Sequence, residues 1–207
     1  AKSRLQKLQE LLYNNQSDAC LITSSVNQYY LWGSIFDGYL YISRDHAPLA
    51  FVKRPSTLTG EGIIPIRKPE QIPELLQEYN LPKPKQVLVE ADHLSYSAAI
   101  RLQAALGMPE MVNVSGELRA IRTIKSNYEL EQMRESARVH AEVYQTIPSL
   151  YKRGMTDLEL QIEIERQMRL HGSVGIFRSF GQNMDIFMGS MLAGDNAQAP
   201  SPYDFAL

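Results

Sequence analysis

A single cysteine in 207 residues, Cys20, excludes an internal disulfide, so no covalent staple holds this chain. Cys20 stands in the apolar run Ala19-Cys20-Leu21-Ile22, where a small buried thiol is the expected role, and the lack of cystine fits a reducing compartment. There is no run of about 18 apolar residues, which excludes a hydrophobic membrane span. Ala1-Lys2-Ser3-Arg4-Leu5 leads into a charged amphipathic segment and not an apolar leader, so a cytoplasmic location is expected. Neither sign of charge dominates, with Lys+Arg 21 against Asp+Glu 23 and a net charge of −2. Without a basic cluster to displace counterions, a nucleic-acid partner is not expected. Phosphate-cradling glycine motifs and a G-x-S-x-G nucleophile elbow are missing too. The four histidines, His46, His93, His140 and His171, are scattered singly, whereas a metal site needs donors that converge.

What the chain does have is an ordinary globular composition, 44% hydrophobic and 21% charged, at a length that suits one large or two small domains. Leu5, Leu8, Leu11 and Leu12 recur at helical spacing, which predicts an amphipathic helix over the first fifteen or so residues. Asp18–Thr23 reads as a buried strand and Asn27–Gly33 as an aromatic loop. Tyr39–Ser43 and Leu49–Val52 read as a hairpin around the turn Asp45-His46-Ala47-Pro48. A strand at Ile63–Ile66, a helix over Pro69–Tyr79, a strand at Val87–Val89, a helix over Ser95–Leu106 and a strand at Met111–Val114 follow. Strands alternating with helices, with at least one hairpin, predict an α/β domain with a mixed sheet flanked by helices.

The second half changes character near Arg119 to Lys125. Ser126-Asn127-Tyr128-Glu129 and Thr156-Asp157-Leu158-Glu159 are both capping boxes, in which hydroxyl and carboxylate satisfy each other's free backbone N–H groups at a helix start. The first opens a long helix with Leu130, Met133, Ala137, His140, Tyr144 and Ile147 on one face, where His140 is expected as a core histidine. Gly154 is suited to stop it, and the second box opens the other arm of a helical hairpin. Val174–Phe180 and Ile186–Met191 read as strands. Glu159, Glu163 and Gln167 fall at i, i+4 and i+8, but Arg166 and Arg169 lie close enough to make that a solvated face and not an acid/base pair. The loop Trp32-Gly33-Ser34-Ile35-Phe36-Asp37-Gly38, with the only Trp, reads equally well as a recognition loop or as a cover over its own sheet edge. Taken from the residues alone, no complete catalytic constellation is present.

Three segments in order carry a family resemblance. Asp18-Ala19-Cys20-Leu21-Ile22-Thr23 with Asn27, Tyr30, Leu31 and Gly33 resembles the opening of the pita-bread metallopeptidase superfamily, which includes creatinase, aminopeptidase P and prolidase. Leu118-Arg119-Ala120-Ile121-Arg122-Thr123-Ile124-Lys125-Ser126, with Glu129 and Met133, is similar to that family's junction into its catalytic domain. Gly154-Met155-Thr156-Asp157-Leu158-Glu159-Leu160, with Glu165 and Gly172, resembles its helical hairpin.

The resemblance implies a creatinase-type N-terminal α/β domain over residues 1–122 and the first part of an α+β pita-bread domain over 123–207. It implies a hydrolase that cleaves small peptides or related C–N bonds, commonly before proline, with water bridged between two divalent metal ions such as Mn, Co or Zn. Lying beyond Leu207, the family's ligands leave no metal-binding or catalytic residue to assign here, and this piece is expected to be inactive by itself. The family's dimers place the loop after the Asn27 motif against the partner's pocket, giving Ile35, Phe36 and Asp37 a substrate-facing role across a homodimer. Asn196 and Ser201 are the expected substrate contacts of the catalytic domain, and Ser201 replaces the histidine of proline-specific members. The alternative is a binding module derived from the same fold. Either reading expects a small peptide or small-molecule partner and no membrane.

Overall fold

The computed structural model describes residues 2–178, 185–187 and 191–198. Two compact units divide it, Ala1–Ile124 and Lys125–Leu207. The first runs α1 (Lys2–Asn14), β1 (Ala19–Ile22), α2 (Ser25–Trp32), β2 (Asp37–Ser43), β3 (Leu49–Arg54) and β4 (Ile63–Pro65). After a 3₁₀ turn at Pro69–Gln71 come α3 (Ile72–Glu78), β5 (Gln86–Val89), α4 (Tyr96–Ala105), β6 (Glu110–Asn113) and α5 (Ser115–Thr123).

These strands form one sheet in the order β4-β3-β2-β1-β5-β6. β2 is antiparallel to both β1 and β3, while β4 runs parallel to β3, β5 to β1 and β6 to β5, so the sheet is mixed as expected. The short turn between β2 and β3 permits only an antiparallel pair, and α4 makes the crossover that lets β6 run parallel to β5.

The sheet is covered on both faces, which is why its strands read as unbroken apolar runs. Side chains alternate between two clusters. Leu21, Phe51, Val87 and Val89 meet Ile72 and Leu76 of α3 and Leu102 of α4. Cys20, Ile22, Leu40, Ile42 and Leu88 meet Leu8 and Leu12 of α1, Leu31 of α2 and Leu118 of α5. Full burial of one such Leu, Ile or Phe contributes about 1.5–3 kcal/mol. The Cys20 thiol is fully buried, and burial together with the nearby Glu90 charge pushes its pKa far above the usual thiol range.

Two helices here depart from the sequence expectation. Asn27–Gly33 is not a loop but most of α2, and α5 occupies a stretch read only as the approach to a boundary.

The second unit contains α6 (Asn127–Leu150), α7 (Asp157–Leu170), the antiparallel pair β7 (Ile176–Arg178) and β8 (Asp185–Phe187), and a 3₁₀ turn at Gly194–Gln198. Both capping boxes form: Glu129 Oε2 accepts the Ser126 N–H and Glu159 Oε2 the Thr156 N–H, each at 2.8 Å, while the Ser126 and Thr156 hydroxyls accept the Glu129 and Glu159 N–H groups at 3.4 and 3.2 Å. α6 ends at Leu150, before Gly154, which is left-handed (φ +95°) in the connection. Its expected inner stripe is open, with Met133 54% and Tyr144 54% exposed. His140 is likewise exposed and stacks on Tyr144 at 4.8 Å, which corrects its reading as a core histidine. The flanks of the two expected strands at 179–180 and 188–190 lie outside the described residues. Among the described residues no helix is long and apolar enough to cross a membrane.

Candidate functional site

α2 begins where β1 ends. Ser24 is extended (φ −72°, ψ 135°), and its hydroxyl accepts the Asn27 N–H at 3.4 Å, an N-cap. The inward face of the helix is polar: Gln28 is fully buried and Asn27 is 5% exposed. Buried amides of this kind are stable only when hydrogen-bonded, and here they serve two different partners.

Asn27 meets Glu90, which lies just past β5 and is itself fully buried. The Glu90 carboxylate accepts the Thr23 N–H at 2.7 Å, the Ser24 N–H at 2.9 Å and the Ser24 hydroxyl at 2.5 Å, and Asn27 Nδ2 donates to it as well. On its other side Asn27 Oδ1 accepts from Arg122 Nη1 of α5 at 2.5 Å. One turn earlier on α5, Arg119 pairs with Asp92 at 2.8 Å. The Arg119 guanidinium, then the Asn113 amide, hold the Asp92 carboxyl below its ordinary pKa. The two arginines of the junction segment therefore fasten α5 to the carboxyl end of the sheet.

Gln28 grips the loop that follows α2. Its Oε1 accepts the Phe36 N–H at 3.2 Å and its Nε2 donates to the Gly38 carbonyl at 3.5 Å. Two glycines shape the same loop. Gly33 (φ +95°) closes α2 in the left-handed conformation, and Gly38 (φ +156°) sits at a register shift between β2 and β3, where a Cβ would lie 2.0 Å from the Phe51 carbonyl oxygen.

Of the three loop residues expected to face substrate, Ile35 is 59% exposed. Asp37 is exposed and its carboxylate meets Lys53 Nζ at 2.8 Å. Phe36 departs from the expectation: it is 5% exposed, in the cluster with Leu31, Leu40 and Val52, because its ring fills the inner layer below the loop. Trp32 packs half-buried on the same cluster, and of the three residues expected to face substrate Ile35 and Asp37 are exposed. Asn196 lies in the 3₁₀ turn Gly194–Gln198, and Ser201 lies outside the described residues.

Sequence reading missed Glu90, Gln28 and Arg122. The signal for Glu90 was a carboxylate closing the apolar run Val87-Leu88-Val89; Arg122 had none, since its partner Asn27 is 95 residues away, and Gln28 had none, since an amide in an aromatic segment does not show that it turns inward.

Among the described residues no group of three or more His, Cys, Asp or Glu is placed to hold an ion. In the second unit His140, His171 and Glu135 do line one depression of about 410 Å³. However, Glu135 is paired with Arg138 at 2.7 Å and His171 Nδ1 lies 2.8 Å from the Gln167 carbonyl. Glu163 is paired with Arg166 at 3.0 Å, as the solvated-face reading expected.

Comparison with known proteins places this geometry. Over 209 residues the chain is 25% identical to an uncharacterized peptidase of Staphylococcus saprophyticus, covering 95% of this chain and 56% of that protein. An uncharacterized peptidase of Staphylococcus aureus is 24% identical over 213 residues, with 96% and 56% covered. The chain thus spans little more than half the length of these relatives. Among solved structures, the Xaa-Pro dipeptidase from Bacillus anthracis superposes with a TM-score of 0.70 at 19% identity, over 84% of this chain and 50% of that one. The X-Pro aminopeptidase from Thermotoga maritima gives 0.66 at 19%, over 78% and 49%. At such identities the likeness speaks for the fold. The Creatinase/Prolidase N-terminal domain model matches residues 4–124, more than half of the chain and nearly the whole of the first unit, and the chain belongs to that family.

Proposed function

We propose that the whole protein is a metal-dependent peptidase of the prolidase or Xaa-Pro aminopeptidase kind, to which this chain contributes the N-terminal domain and the first part of the catalytic domain. The observation that carries this reading is coverage: the alignment to proteins described as peptidases runs through both units, over 95% of the chain. Two divalent ions would supply a polarised carbonyl and an activated water. The described residues do not fit such a pair, so its ligands belong to sequence outside them. The role left to this chain is recognition. In a homodimer the exposed part of the Gly33–Asp37 loop, Ile35 and Asp37, faces the substrate bound by the neighbouring copy. Ser201, in place of a histidine, widens the choice of second residue beyond proline.

The test uses the whole purified protein and two dipeptide series, Xaa-Pro and Xaa-Ala. Hydrolysis of both, abolished by a chelator and restored by Mn²⁺, is the expected result, with sedimentation at the mass of a dimer. Metal-loaded protein that binds dipeptides without cleaving them would instead establish the binding module.

A further inference from the structure

Two consecutive side chains of α2 belong to two separate sets of hydrogen bonds, which the helix backbone joins. Asn27 is tied to Glu90 and, through Arg122, to α5, the helix by which the chain leaves the first unit. Gln28 is tied to the loop at two points, the Phe36 N–H and the Gly38 carbonyl. The two residues are consecutive, so the rigid helical backbone of α2 joins them directly. We propose that Glu90, Asn27 and Gln28 form a positioning relay that fixes the Gly33–Asp37 loop, so that the placement of Ile35 and Asp37 toward substrate is set from α5 and β5. The proposal rests on the loop's role in the preceding section.

Three physical features support it. All three relay residues are buried, so their hydrogen bonds have no competing water. The carboxylate is satisfied by donors from the β1–α2 junction, so any shift of α2 along its axis breaks several bonds at once. α2 has two further fastenings on its outer side: Arg4 Nη1 donates to the Tyr30 carbonyl at 2.9 Å, with its guanidinium 4.3 Å from the Tyr30 ring centre, and the Tyr30 hydroxyl reaches the Ile121 carbonyl at 3.5 Å. Phe36 adds an apolar anchor beneath the loop, which leaves the hydrogen bonds of Gln28 to set the path of the backbone on either side of Asp37.

The experiment compares Gln28→Met, Glu90→Gln and Ile35→Ala in the whole protein, by amide hydrogen exchange and by dipeptide kinetics. Gln28→Met keeps the volume and removes both loop bonds. Glu90→Gln acts at the far end and guards against a fold defect peculiar to the first variant. The relay predicts that both raise KM about tenfold with kcat nearly unchanged, the factor that ~1.4 kcal/mol of binding gives. It also predicts faster exchange at Ile35, Phe36 and Asp37 with no change in β5. Glu90→Gln should raise KM less in an Ile35→Ala background than in the wild type, because the part of its effect that passes through Ile35 is then already lost. A loop whose exchange is unchanged in both folded variants overturns the relay. So does an unchanged KM in both when Ile35→Ala alone raises it, and that outcome leaves the loop's role intact. Unchanged KM in all three removes the loop's role and the relay with it.

Discussion

Asp18 is legible in the sequence as the residue before an apolar strand, but its job is not. Its carboxylate accepts the Lys85 N–H at 2.7 Å and the Gln86 N–H at 3.1 Å, some 67 residues away, and pairs with Arg44 at 3.1 Å. It joins the start of β5 to the start of β1, a contact that reading neighbours along the chain cannot reveal. Burial acts to raise its pKa, yet the two backbone N–H groups and the Arg44 guanidinium outweigh it, and the net shift is downward. A depressed folded-state pKa means that the stabilisation is present above the ordinary carboxylate range and is lost as the pH falls through the folded value. Wild-type stability should therefore decline below about pH 4, the unperturbed Asp range. Asp18→Asn should cost about 1.5–3 kcal/mol at pH 7, as expected for hydrogen bonds to a charged group, and should flatten that decline. Urea unfolding at pH 7, 4 and 3 measures both, and an equal acid slope in the variant refutes the assignment.

At the scale of the element, α2 is the instructive case. The sequence has its start signal in Ser24 and its stop signal in Gly33, and both act as such. What hid the helix is its buried face, Asn27, Gln28 and Leu31, in which two of three inward residues are polar and break the apolar periodicity that marks a helix. The polar face is there because the helix carries the relay, so the element was obscured by the feature that gives it a use. α1, with Leu8 and Leu12 fully buried, was plain for the opposite reason. The two glycines that bound the loop separate conformational freedom from close contact. A Cβ at Gly33 meets nothing within 4 Å, so Gly33→Ala should cost only the left-handed penalty of about 1–2 kcal/mol. At Gly38 the Cβ would strike the Phe51 carbonyl, so Gly38→Ala should cost clearly more and shift the start of β2. Denaturant midpoints of the two variants rank them, and a reversed order would refute the close approach.

For the molecule as a whole, the mixed sheet and its hairpin followed from strand and turn patterns, whereas the placement of β1 between β2 and β5 did not, because nothing local specifies which strand a crossover returns to. The two units also differ in what they bury. The first has apolar clusters on both faces of its sheet, and 124 residues suffice for an independent core. In the second, Val143 is the one buried apolar side chain among the described residues, while Met133, Tyr144, Leu158 and Ile162 are more than half exposed. Capping boxes and ion pairs such as Arg138 with Glu135 hold helices in shape, but exposed pairs are worth only about 0–1 kcal/mol each. Residues 1–124 produced alone should therefore unfold in one cooperative transition, with the loop exchange pattern of the whole protein. Residues 125–207 alone should show helical circular dichroism without a cooperative transition. A sharp melt from the second piece would mean that α6 and α7 bury their apolar faces without further sequence. Failure of the first to fold would mean that α5, fastened by Arg119 and Arg122, needs the residues after Ile124 to stay in place.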